Sequence, residues 1–352
     1  MPPEEFRSKG LRVPSGRLSR IARFGNMATG IAGSMLLDGA KQFASGRRPT
    51  VADLLMTPAN ALKVTLQLGQ MRGAAMKLGQ LVSMDTGDFL PPELADIFAR
   101  LRADAQHMPP AQLNAVLAGH WGRNWREQFI RFDDRPIAAA SIGQVHRALT
   151  LNNEDVAIKI QYPGVRRSID SDVDNVAALL RVSGLLPSSV EITDILEEAK
   201  AQLLAEADYQ QEQYWLACYS DRLGKATDFI IPKPHSSLTT PHVLAMTWVD
   251  GDPIESLVND ADDLRNRVAE QLFELVLKEL FEFHVLQSDP NFANYRFNRA
   301  RQHIVLLDFG ATRALPLMIV EGYRKLMRAG LAKNRATMHE AATEIGYFGL
   351  EM

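Results

Sequence analysis

The change of texture near residue 129 constrains this chain more than any other feature. Before it, from about 26 to 128, the pattern is helical: "VADLLMTPANALKVTLQLGQMRGAAMKLGQLVSMD" is rich in Leu, Ala, Met, Gln and Lys, with scattered β-branched residues. Pro91-Pro92 followed by "ELADIFARLRADA" predicts a second helix with proline in its first turn. After it, "FIRFDDRPIAAASIGQVHRALTLNNEDVAIKIQY" (129–162) alternates like strands, with "LNNED" as the turn between two extended runs. Helical texture returns over 165–219, broken at "GLLPSS" (184–189), and short strand-like pieces follow at "FIIPKPH" and "HVLAMTWVDG". The last hundred residues are mostly helical, apart from "VLQSDPNFANY" (285–295) and the strand "HIVLLDFG" (303–310). That order predicts an α+β fold of two lobes with a helical extension: a basic arm and helices over 1–128, a β-rich lobe over 129–248 and a helical lobe over 249–352.

With 352 residues, 46% hydrophobic and 23% charged, the chain has ample material for a core. Its net charge of −3 gives no reason to expect nucleic acid as a partner. Charge is uneven: residues 1–50 hold nine Lys/Arg against three Asp/Glu, so this segment is +6 and the remainder −9. One cysteine, Cys218, excludes an intramolecular disulfide framework, and no Cys/His cluster has zinc spacing, which fits a reducing, cytoplasmic environment. The apolar run "MATGIAGSMLLDG" (27–39) falls short of the roughly 20 residues a bilayer span needs. Arg17, Arg20 and Arg23 precede it, so the segment suits either a basic-capped helix packing on its own protein or a peripheral membrane contact.

Three groups of residues carry chemistry. The strand "VAIKI" sets Lys159 among apolar neighbours, where an inward lysine needs an anionic partner, either phosphate or a helix carboxylate; an exposed lysine on an edge strand is the bland alternative. Upstream, "AAASIGQVHRA" (138–148) lies between two strand-like runs, where backbone N–H groups can cover phosphates, yet it carries Ala138, Ala139, Ala140 and Ser141 where flexible glycines are expected. The helix "DILEEAKAQLLAEADYQQEQYWLACYSDRL" puts Asp208 and Glu212 on one face, with Glu206 about 160° away from Asp208, so Glu212 is the choice to pair with Lys159. In the N-terminal helix Gln70, Gly73, Lys77, Gln80 and Met84 form a stripe on a segment apolar nearly all round, which points Lys77 either into a site or onto a buried carboxylate, with Glu206 as candidate. Finally, Asp289 and Asn294 stand five residues apart and Asp308 opens an Asp-Phe-Gly, the spacing with which protein-kinase-type enzymes handle a hydroxyl and Mg²⁺. Gln287-Ser288 stand where such enzymes carry His-Arg.

These residues together resemble the UbiB, or aarF-domain-containing, family of atypical kinases. The resemblance rests on "KLGQ" (77–80), "AAAS" (138–141), "VAIK" (156–159), "EADYQQE" (206–212), "QSDPNFAN" (287–294) and "LLDFGATR" (306–313), and covers about residues 12–320. It implies a bilobal protein-kinase-like fold whose helical N-terminal extension drapes over the active site, with Lys77 and Gln80 in the groove where a protein kinase takes a peptide. It implies that Mg²⁺ and ATP or ADP bind, with Ala138–Ser141, Lys159 and Glu212 at the nucleotide, Asn294 and Asp308 at the metal, Asp289, Lys159 and Lys77 in catalysis, and Glu206 and Asp208 as family signature residues. ATPase activity in support of ubiquinone biosynthesis is the implied setting, on or beside membrane lipid intermediates and biosynthetic enzymes, with a homodimer left open. The location implied is cytoplasmic and peripheral to the inner membrane, or the mitochondrial matrix in a eukaryote. A nucleotide-gated scaffold and a small-molecule or lipid kinase stand as alternatives. Many bacterial members end in transmembrane helices; this sequence closes on "EIGYFGLEM" without one, through an absent anchor or a shortened chain.

Overall fold

The computed structural model describes residues 68–69, 71–86, 107–182, 193–224, 228–289 and 291–347. The basic arm with its apolar run, Gln70, the helix expected after Pro91-Pro92 and the "GLLPSS" break lie outside the described residues. In chain order the principal elements are α1 (Arg72–Thr86), α2 (Pro110–Trp121), β1 (Phe129–Phe132), β2 (Ala138–Ala139), β3 (Gly143–Thr150), β4 (Asp155–Gln161), α3 (Val165–Val182), α4 (Thr193–Glu206) and α5 (Tyr209–Leu223). There follow β5 (Phe229–Ile230), β6 (Val243–Thr247), β7 (Asp252–Pro253), α6 (Asp262–Lys278), β8 (Val285–Gln287), β9 (Tyr295–Asn298), β10 (His303–Leu306), β11 (Thr312–Ala314), α7 (Leu317–Leu331) and α8 (Arg335–Glu344). The chain divides into two compact units: one runs to Gln210 and takes back His235–Thr247, and the other comprises Gln211–Pro234 and everything from Trp248 on.

The first unit is built on an antiparallel sheet of order β1-β3-β4-β6, with β2 pairing the start of β3 on the same side as β1. "LNNED" closes the β3–β4 hairpin, with Asn153 in the left-handed region its turn demands (φ 65°). Val156, Ile158 and Ile160 of β4 are fully buried against Trp125, Phe129 and the apolar side of α2, whereas Ala157 and Lys159 are half-buried on the opposite face. β4 lies between β3 and β6, so Lys159 is on an interior strand and the edge-strand alternative falls. A second core joins α1, α3 and α4 through Leu68, Met71, Ala75, Leu78, Val173 and Leu203.

Two glycines set the close approaches of this unit. A Cβ on Gly143 would stand 2.3 Å from the Ile160 carbonyl oxygen, so glycine lets β3 meet β4 immediately after the alanine-rich turn. A Cβ on Gly73 would meet Ile142 Cγ2 at 3.0 Å and the Ser141 carbonyl oxygen at 3.1 Å, which seats α1 directly on that turn.

The long helix expected across Asp194–Leu223 is two helices. α4 stops at Glu206 and α5 starts at Tyr209. The Ala207 carbonyl leaves the helical ladder to accept from Gln161 Nε2 (3.0 Å) and Arg166 (3.2 Å), and the Asp208 amide falls back on the Ala205 carbonyl (3.0 Å). Asp208 and Glu212 therefore do not share the face of one continuous helix.

The second unit has a four-stranded sheet, β5-β10-β9-β7, and the separate antiparallel pair β8–β11. α6 runs on into a π-helical turn at Glu279–Phe283, and His284 reverses the chain in the left-handed region (φ 54°) to start β8. α7 and α8 close the unit, joined by the Lys325–Glu344 ion pair at 2.9 Å.

Gly143→Ala is expected to cost about 2 kcal/mol, because strand backbone rather than a mobile side chain blocks the new methyl. Urea denaturation of the variant reads this directly, and an unchanged midpoint would contradict the packing.

Candidate functional site

In the first unit two of the groups singled out from sequence, Lys77 and Ser141, meet on one carboxylate. Glu206, the last residue of α4, accepts from the Lys77 ammonium on Oε1 (2.9 Å) and from the Ser141 hydroxyl on Oε2 (2.6 Å). Lys77 is 4% exposed and Glu206 15%, so α1, α4 and the alanine-rich turn are tied by a bond that water hardly reaches. The turn itself is tight: Ala138 and Ala139 pair with Val145 and Gln144, and the Ala140 amide donates to the Gly143 carbonyl (2.9 Å). Gln80, three residues on from Lys77 in α1, is half-buried. Asp208 faces Arg166 at 3.5 Å on a partly exposed surface. Lys159 Nζ lies 5.2 Å from the ring centroid of the fully buried Tyr209, a cation–π arrangement that leads its stem toward the start of α5. Glu212 is almost fully buried, and it belongs to the second unit.

In the second unit the β8–β11 ladder brings two distant stretches together. Its last pair is Gln287 with Thr312, and beyond it Ser288 donates to the Ala311 carbonyl through both its amide (3.1 Å) and its hydroxyl (2.7 Å). Asp289 follows on one side and Asp308 precedes on the other. Asn294 Nδ2 donates to the Asp289 carbonyl (3.3 Å), and the Asn294 carbonyl accepts from the Leu307 amide (3.1 Å), so Asn294 is pinned to both. Asp308 Oδ1 accepts from the Gly310 amide (2.9 Å), which shapes the Asp-Phe-Gly turn. Asp289, Asn294 and Asp308 thus form one half-buried cluster.

Sequence reading missed what supports this cluster. Gln287 Nε2 donates to the Asp308 carbonyl (2.8 Å), and its Oε1 accepts from the Asp289 amide (3.1 Å). Glu279, 4% exposed, accepts from the Gln287 amide (3.3 Å) and from the Tyr219 hydroxyl (2.9 Å). The Tyr219 ring packs on Phe309, 4.8 Å between centroids. Burial pushes the Glu279 carboxyl up to about 7, against the pull of those two hydrogen bonds. Tyr295 is pushed up to about 12 by burial first, then by the charges of Glu279 and Asp289. In sequence, Glu279 looks like any acidic residue on a helix, and Gln287 registers only as a departure from His-Arg.

Asn294 and Asp308 supply an amide and a carboxylate oxygen, a hard donor set suited to Mg²⁺, which keeps waters and is shared with phosphates rather than caged. Among the described residues there is no cluster of three or more His, Cys, Asp or Glu able to hold a metal by itself.

A family model described as the ABC1 atypical kinase-like domain matches residues 100–342. The mitochondrial atypical kinase COQ8 of Saccharomyces cerevisiae is 36% identical over 97% of this chain and 69% of its own length. The mitochondrial atypical kinase coq-8 of Caenorhabditis elegans is 34% identical over 97% of this chain and 46% of its own. Among solved structures, the Rv3197–erythromycin complex from Mycobacterium tuberculosis superposes with a TM-score of 0.55 at 26% identity, covering 84% of this chain and 74% of that one. The fold is kinase-like, and the chain belongs to the ABC1, or UbiB/COQ8, family of atypical kinases. It spans between about half and two thirds of the length of these curated relatives. No described helix is long and apolar enough to cross a membrane.

Two outcomes follow from the two carboxylates. Removing either partner of the buried pair, Lys77→Ala or Glu206→Ala, is expected to cost about 3 kcal/mol, and the two together less than the sum, as a double-mutant cycle in denaturant will read. For Glu279, whose folded pKa lies above its unfolded one, the folded state holds the proton more tightly. Its stabilising contribution is complete below pH 4.5 and is lost as pH rises through about 7, a span of roughly 3 kcal/mol. Glu279→Gln should therefore flatten the fall in denaturation midpoint between pH 5 and pH 8, and an identical fall in both proteins would contradict the burial argument.

Proposed function

We propose that this chain binds Mg-ATP and hydrolyses it or transfers its γ-phosphoryl group, in support of ubiquinone biosynthesis. The observation that carries the reading is the joining of Asp289, Asn294 and Asp308 into one cluster by the β8–β11 ladder and the Asn294 bridge. Asp289 would orient a water or acceptor hydroxyl and take its proton. Asn294 and Asp308 would hold the metal, which when bound neutralises charge on the β- and γ-phosphates. In the first unit, Ala138–Ser141 would cover phosphates and Lys159 would contact them, with Glu212 as its proposed partner. Lys77, Gln80, Glu206 and Asp208 would regulate access rather than receive a peptide, a reading supported by the engagement of Lys77 with Glu206 at 2.9 Å. Lys77 and Gln80, which the family resemblance sets in the groove where a protein kinase takes a peptide, would disfavour protein phosphorylation.

The setting rests on family membership. The curated relatives are named as mitochondrial atypical kinases; a peripheral place beside an inner membrane, among quinone-pathway enzymes and lipid intermediates, is part of the proposal. Asp308→Asn should abolish stabilisation of the protein by Mg-ATP in a thermal scan, because the metal loses its carboxylate, while Asp289→Asn should retain it and lose turnover by at least about a hundredfold. Rescue of quinone synthesis in a deletion strain by the turnover-deficient Asp289→Asn protein would overturn the catalytic reading in favour of a nucleotide-gated scaffold. Labelled γ-phosphate appearing in an extracted lipid would identify the acceptor as something other than water.

A further inference from the structure

We infer that Gln287 is a positioning residue that fixes the catalytic-loop aspartate against the metal-binding turn. The inference rests on the Mg-ATP reading above for its consequence, and on hydrogen bonds of this chain for its premise.

The β8–β11 backbone ladder ends at the Gln287–Thr312 pair. Past that point the Ser288 amide and hydroxyl still reach the Ala311 carbonyl (3.1 and 2.7 Å), but no backbone rung joins Asp289 to Asp308. The Gln287 side chain supplies the missing rung. Its amide gives a donor to the Asp308 carbonyl (2.8 Å) and an acceptor to the Asp289 amide (3.1 Å), mimicking a peptide group between the two strands. The orientation is determined, since the flipped amide would set oxygen against the Asp308 carbonyl and N–H against the Asp289 N–H. The residue is 8% exposed, so water does not replace either bond easily.

Gln287 is itself held from behind. Its amide donates to Glu279 Oε2, and Glu279 Oε1 accepts from Tyr219, whose ring lies on Phe309. The links form a closed circuit: Asp289 to Gln287 to Asp308 through the side chain, and Phe309 to Tyr219 to Glu279 to Gln287 through the support. A shift of the Asp-Phe-Gly turn is therefore passed to Asp289 by two routes. Gln287 stands where protein-kinase-type enzymes carry the His of His-Arg, and it offers one donor and one acceptor in a single plane.

Three variants test this: Gln287→Met keeps the length but removes both the donor to the Asp308 carbonyl and the acceptor for the Asp289 amide; Gln287→His keeps one donor and one acceptor; Val305→Ala in β10 lowers stability without touching the cluster. Amide hydrogen exchange on the protein without nucleotide reads the link, and Mg-ATP turnover reads its consequence. Gln287→Met is expected to speed exchange at Asp289 by more than about tenfold and to lower kcat by roughly tenfold to a hundredfold with KM for ATP changed less than about threefold. Gln287→His recovers part of both, and Val305→Ala leaves kcat unchanged. Unaltered exchange at Asp289 in Gln287→Met overturns the inference whatever the activity, and faster exchange with wild-type kcat overturns it as well. A wild-type protein with no Mg-ATP turnover overturns the proposed function instead, and the exchange result then decides the link alone.

Discussion

Two carboxylates nineteen residues apart in sequence, Asp289 and Asp308, must be held together for the second unit to do any phosphate chemistry. Neither sits in a regular element that would place it. The short β8–β11 pair brings their neighbours to within a ladder rung, Asn294 reaches from one segment to the other, and Gln287 spans the gap where the ladder stops. Each neutral hydrogen bond in this set is worth about 1 kcal/mol by itself. Their value lies in cooperation inside a buried network, where losing one partner leaves another polar group without water. Glu279 stands at the back of this network, buried enough to share its proton near neutrality.

The first unit solves a different problem with a charged pair. A turn made of Ala138–Ala140 lacks glycine's freedom, and its shape is stabilised instead by pairing with β3 and by Ser141 reaching Glu206. Because Glu206 also holds Lys77, the turn, α1 and the end of α4 respond as one body. Gly143 serves the approach of β3 to β4 and Gly73 the seating of α1, not the mobility of the turn. An alanine-rich loop of this kind is shaped beforehand, at the cost of adaptability.

The α+β class, the β3–β4 hairpin at "LNNED" and the interior faces of the strands were legible because each depends on local periodicity or turn chemistry. Lys77 and Glu206 were legible as a pair because a lysine on a helix apolar nearly all round must find a carboxylate. The break between α4 and α5 was not legible. It arises from Gln161 and Arg166 capturing the Ala207 carbonyl, contacts 46 and 41 residues away in sequence that leave no local mark. Glu279, Tyr219 and Gln287 escaped for the same reason, since their roles are defined by one another and not by their neighbours in the chain.

The most direct test of the central claim is a titration of the wild-type protein with a fluorescent ADP analogue, performed with millimolar Mg²⁺ and again with EDTA. Tight binding that depends on the metal and is lost on chelation is the predicted result. Equal affinity with and without Mg²⁺, or no binding at all, would contradict a site in which Asn294 and Asp308 hold a nucleotide through its metal.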